Sequence, residues 1–135
     1  MIRADVLPVR SEQDVVVARQ LVRRMTQELG FSLVDQTKMV TAASELARNT
    51  LIHGLGGVME WELLADGARQ GLRLTFADEG PGISNIVLAM TDGWTTGTGL
   101  GMGLSGSKRL VNEFHIESTH GQGTRVTIAR WKGGT

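Results

Sequence analysis

The chain has 135 residues, enough for one domain that buries roughly two-thirds of its unfolded surface, and it contains no cysteine, which excludes a disulfide framework or a thiolate metal site. Fourteen lysines and arginines balance fourteen aspartates and glutamates, so no bulk charge draws it to nucleic acid or an anionic membrane, and neither is expected as a partner. No run approaches the ~20 apolar residues of a membrane span, and the opening "MIRADVLPVR" has no signal-peptide core, so the expected location is cytoplasmic.

"IRADVLPV" is a short extended segment that Pro8 confines to an edge or a strand end. "SEQDVVVARQLVRRMTQELG" reads as a helix: Ser11 caps it, Val15, Ala18, Val22, Met25 and Leu29 repeat at three and four, and Gly30 stops it. A second helix is expected from about Leu33 to Ile52. Its small and apolar residues wrap most of the circumference, which implies a helix covered on more than one side.

"VMEWELLA" sets Met59, Trp61 and Leu63 against Glu60 and Glu62, a half-buried strand, and "DGARQG" turns into "LRLTFAD" with Leu72, Leu74 and Phe76 on one face. The two form a hairpin. From Asp78 to Gly106 the chain is glycine-rich, holding eight of the 18 glycines between Gly80 and Gly106, with at most one short helix around Ile83 to Met90. "LSGSKRLVNEF" then reads as a helix with Leu104, Val111 and Phe114 inward. The strands "HIEST" and "TRVTIARW" flank the turn "HGQG". This order predicts a single α+β domain over residues 1–135, a mixed, mostly antiparallel sheet with helices on one face.

Four polar constellations stand out. Glu45 and Asn49 lie four apart on the second helix and offer a carboxylate and an amide oxygen to one point, a donor set that suits Mg²⁺ but that two ordinary exposed residues would also present. "ADEGPG" puts Asp78 at a strand end beside glycines, where it could accept a hydrogen bond from a ligand amino group or form an ordinary acidic turn. "GTGLGMGL" leads into a helix and exposes backbone N–H groups to an anionic phosphate, or is a plain flexible loop. "GQGT" is a tight turn whose Thr124 opens the last strand.

"GMGLSG" matches a dinucleotide pattern, but no strand precedes it, and no phosphate-loop lysine motif occurs. His53, His115 and His120 lack metal spacing, and no Ser-His-Asp arrangement supports hydrolase chemistry.

In order, "ELARN", "DEGPG", "GLGMG" and "GQGT" resemble the four ATP-binding boxes of the GHKL superfamily, whose nucleotide domain is the Bergerat fold. More narrowly, "TAASELARN", "DEGPGI", "GLGMGLSGSKRLVNEF" and "GQGT" resemble the RsbT-type serine/threonine kinases of the bacterial stressosome and, at greater distance, the anti-sigma factor kinases. The resemblance implies ATP and Mg²⁺ as cofactors, Glu45 as general base, Asn49 as Mg²⁺ ligand and Asp78 as acceptor of the adenine amino group. It further implies that Gly80 and Gly82 lie beside the base and that Thr124 supports Asp78. Gly97, Gly99, Leu100, Gly101, Met102 and Gly103 would end an ATP lid and cradle phosphates. The segment from Ile83 to Gly103 is expected to close over the triphosphate.

The lid sequence "TDGWTTGTGLGMG" lacks the arginine that anti-sigma kinases often place there, and Lys108 and Arg109 come after it, which leaves the cation at the γ-phosphate open. The implied partners are a STAS-domain substrate of the RsbS/RsbR scaffold type and an RsbU-like PP2C-type phosphatase. A sigma factor is the alternative, and a homodimer is left open.

Overall fold

The computed structural model describes residues 3–83, 90 and 103–133. Its elements are β1 (Ala4–Val9), α1 (Glu12–Glu28), α2 (Leu33–Ile52), β2 (Gly57–Asp66), β3 (Arg69–Asp78), α3 (Gly103–Arg109), β4 (Glu113–Thr119) and β5 (Gly123–Trp131). Local chemistry sets the helix ends. Ser11 accepts the Asp14 N–H at the start of α1, and Ser32 does the same for Asp35 at the start of α2, each satisfying an otherwise unpaired donor of the first turn. Gly30, at φ +82°, turns the chain out of α1 in a conformation that side chains disfavour.

The five strands form one sheet in the order β1-β2-β3-β5-β4, and each neighbouring pair is antiparallel. β1 is an edge, as Pro8 requires. Alternation divides the sheet into two faces. Met59, Leu72, Leu74, Phe76, Val126 and Ile128 point to one side and share a buried core with Val15, Val22, Met39, Leu46 and Ala47 of the helices. On the other side Arg73 pairs with Glu62 at 2.8 Å and Arg125 with Glu60 at 3.4 Å, all of them substantially exposed. The fold is α+β with its helices packed on one face.

One sequence expectation needs adjusting. The helix read through Phe114 stops at Arg109, and Phe114 lies in β4, opposite Ile128. Ladder bonds explain it: Asn112 N–H donates to Ala129 O at 3.0 Å and Asn112 Oδ1 accepts the Trp131 N–H at 2.7 Å, so sheet pairing outcompetes further helical turns. Phe114 still packs against the core, now from a strand. The short helix expected around Ile83 to Met90 falls mostly outside the described residues.

Candidate functional site

One row of residues crosses the end of the sheet: Gly57 faces Asp78, Asp78 faces Thr124, and Thr124 faces Ser118. By the two-residue period, Asp78, Thr124 and Ser118 lie on the helix-bearing face, in line with Phe76, Val126 and Ile116. Helix α2 ends against this row. A Cβ built on Gly54 would lie 2.3 Å from Asp78 Cγ, so only glycine allows the helix end and the carboxylate to meet this closely.

The Asp78 carboxyl is half-buried, and burial raises its pKa above the usual aspartate value. Backbone N–H groups of Gly80 and Thr124 pull in the opposite direction by stabilising the charge, the first donating to Oδ1 at 3.0 Å. The result is an acceptor held in place by its own backbone. Asp78, Gly80, Ser118 and Thr124 all line a cavity of about 660 Å³, whose floor continues over Gly54 to Val58 and Gln122 to Arg125. That volume is typical of small-molecule sites.

Gly80 and Gly82 have structural duties at this site. A Cβ on Gly80 would sit 2.6 Å from Gly54 O, while Gly82, at φ +74°, would place one 2.3 Å from Thr119 O. The loop after β3 is thereby clamped between the end of α2 and the β4–β5 turn, where Gly121 N–H also donates to Pro81 O at 2.6 Å. Gly80 borders the cavity; Gly82 is not among its walls.

Glu45 and Asn49 are both half-buried on α2, one helical turn apart. Neither lines the cavity, but Asn49 O accepts the N–H of Gly54 at 3.1 Å, which ties Asn49 to the cavity's edge. At 1.5 Å of rise per residue, Asn49 lies roughly 4.5 Å and Glu45 roughly 10.5 Å along the helix from its last residue, Ile52. Among the described residues no group of three or more histidines, aspartates or glutamates could hold a metal by itself. Of the expected phosphate cradle, Gly103 begins α3, whereas Gly97, Gly99, Leu100, Gly101 and Met102 lie outside the described residues, as does most of the expected lid.

Two site residues escaped the sequence reading. Ser118 looked like an ordinary strand residue in "HIEST", with no local signal to set it apart. Gly54 did carry one, since it follows directly on the last apolar residues of a helix pattern, where a glycine stop is common.

Residues 34–133 match the family model described as histidine kinase-, DNA gyrase B- and HSP90-like ATPase. The chain is 45% identical to the serine/threonine-protein kinase RsbT of Bacillus subtilis (strain 168) over 123 residues, 91% of this chain and 92% of that protein. It is also 32% identical to an anti-sigma F factor of Geobacillus thermodenitrificans (strain NG80-2) over 129 residues, covering 90% and 86% of the two chains.

Among solved structures it resembles "The crystal structure of the RsbU and RsbW domains of Rv1364c from Mycobacterium tuberculosis", with a TM-score of 0.66 at 20% identity. The match covers 98% of this chain but only 34% of that one, so it speaks to the fold alone. With the Asp78 cavity, the Glu45–Asn49 helix and these likenesses together, the chain belongs to the histidine kinase-, DNA gyrase B- and HSP90-like ATPases and, within them, to the RsbT-type serine/threonine protein kinases.

Proposed function

We propose that this kinase is a single-domain, cytoplasmic switch that transfers the γ-phosphoryl group of ATP to a serine or threonine of a small STAS-domain protein. Once released from that substrate, it activates a PP2C-type phosphatase. The observation that carries the reading is α2 itself: it bears a carboxylate and an amide oxygen one turn apart and ends against the half-buried acceptor Asp78.

In this reading Asp78 and Thr124 hold the adenine end, Gly80 shapes the loop beside it, and the triphosphate runs back along α2. Glu45 accepts the proton of the substrate hydroxyl as its oxygen bonds to the γ-phosphorus. The bond from that phosphorus to the bridging oxygen breaks, and ADP departs with the electron pair. Phosphoryl transfer demands positioning and charge neutralisation more than covalent help, so few side chains suffice.

The donor set fits Mg²⁺: one amide oxygen from Asn49 with a carboxylate nearby leaves the other positions to phosphate and water, the usual division for this cation. Bound there, it would supply charge neutralisation at the phosphates. Gly97, Gly99, Leu100, Gly101, Met102 and Gly103 would contribute backbone N–H groups to the same phosphates.

Incubation with labelled ATP and a STAS-domain protein tests the proposal. Wild type is expected to incorporate phosphate, and Glu45→Ala to lose about 100-fold or more in rate, the scale of general-base catalysis. Equal rates would overturn the base assignment. The anti-sigma F factors among the relatives favour a second reading, sequestration of a sigma factor. Recovery of a sigma factor in a pull-down, without STAS or phosphatase partners, would decide for it.

A further inference from the structure

Ser118 makes three hydrogen bonds with one hydroxyl. Its Oγ lies 2.7 Å from Ile83 N, 3.0 Å from Gly123 O and 2.8 Å from Thr124 Oγ1. A serine has one proton and two lone pairs. The amide of Ile83 can only donate and the carbonyl of Gly123 can only accept, so the Ser118 proton goes to Gly123 O. One assignment then satisfies all three contacts: Thr124 Oγ1 donates to Ser118. Its proton is committed inward, and what it can present to the cavity is lone pairs.

Asp78, the neighbour of Thr124 across the β3–β5 ladder, lines the same cavity and is likewise an acceptor when ionised. We infer that Ser118 is a positioning residue that sets Thr124 as an acceptor beside Asp78, so that the cavity selects a nucleobase presenting an amino group and disfavours one presenting a carbonyl oxygen there. The inference rests on the nucleotide reading of this cavity and adds to it a residue that acts through Thr124. The same hydroxyl also ties Ile83, just past the Asp78 loop, to the β4–β5 turn, joining segments 35 residues apart.

The discriminating pair of ligands is ADP and IDP, whose bases carry an amino group and a carbonyl oxygen respectively at one ring position, with the adjoining ring nitrogen an acceptor in ADP and an N–H donor in IDP. Wild type should bind ADP more tightly than IDP. In Ser118→Ala the Thr124 hydroxyl is released to rotate and donate, so ADP affinity should fall about three- to tenfold, the scale of one net hydrogen bond, while IDP falls less or gains. The ADP-to-IDP preference should shrink by at least about threefold. Ser118→Thr, which keeps a hydroxyl, should restore it.

A role confined to holding the fold would weaken both ligands alike, and an equal loss in Ser118→Ala overturns the inference while leaving the nucleotide site intact. Wild-type protein that binds neither nucleotide overturns the nucleotide reading and this inference with it. Should Ser118→Ala fail to fold, Ser118→Cys, with a thiol that is only a weak donor and acceptor, takes its place with the same two results.

Discussion

The two ends of helix α2 are held by opposite means. At its N-terminus, Asp35 receives Arg130 Nη2 at 2.5 Å, with the two side chains only 14% and 8% exposed, and the same guanidinium donates from Nη1 to Leu110 O at 2.9 Å. At its C-terminus a glycine allows close approach: Gly54 meets Asp78 and Gly80 directly, and the nearby carboxylate takes N–H groups from its own loop and the adjoining strand. One end commits its charges to each other. The other keeps a half-buried acceptor facing a cavity. The first arrangement locates the helix, and the second is what a ligand can use.

Breaking the locked end should give the largest change in stability. Asp35→Ala leaves Arg130 charged and buried and is expected to cost about 3–5 kcal/mol in urea denaturation. Among the described residues Arg130 Nε has no hydrogen-bond partner, so the pair is incompletely satisfied. Replacing both partners by apolar residues, Asp35→Leu with Arg130→Met, should therefore recover most of the loss. A double variant as unstable as the single one would show the pair to be worth more than its desolvation.

The pH dependence of the two ends has opposite sign. The hydrogen bond and charge of Arg130 hold the Asp35 carboxyl below the usual aspartate pKa, against the upward pull of burial. Its stabilisation is therefore complete above the unfolded value of ~3.9 and disappears as pH falls through the lowered folded value. Asp78 is raised, chiefly by burial, so its ionised form opposes folding at neutral pH and that penalty lifts as pH falls through the raised value. Between pH 6 and 3, denaturation of Asp35→Asn should show a smaller acid loss than wild type, and Asp78→Asn a larger one.

Gly54→Ala sharpens the comparison at the open end. The added methyl forces the Asp78 carboxyl aside, which should cost about 1–3 kcal/mol, the usual range for overpacking, and remove most nucleotide binding. Binding at wild-type strength would separate the Asp78 geometry from recognition. The smallest effect is expected outside both ends: Glu62→Gln breaks an exposed pair with Arg73 on the open sheet face and should shift stability by less than about 1 kcal/mol.

Much of this was legible from spacing. The repeats at three and four in α1, the alternation of Met59, Trp61 and Leu63 and the edge position of Pro8 are local properties, and the folded chain follows each of them. Leu104 and Phe114 mark the limit of local reading: the first is buried from a helix, as its spacing predicts, and the second is not on that helix. Both are buried or partly so, but Phe114 reaches the core from a strand, because the competing ladder bonds come from residues 129 and 131.

The site was legible in part for the same reason. Asp78 and Thr124 announce themselves beside glycines, and the structure brings them together in one row. Ser118 and the Asp35–Arg130 pair depend on contacts 35 and 95 residues apart in the chain, which no local pattern encodes.

The central claim is that the Asp78 end serves binding rather than folding, and Asp78→Asn tests it most directly. Calorimetric titration with ADP, alongside urea denaturation at pH 7, should find binding weakened at least about tenfold, as expected for loss of a hydrogen bond to a charged acceptor, with the folded state as stable as wild type or more so. Undiminished ADP binding, or a protein clearly less stable at pH 7, would contradict the account.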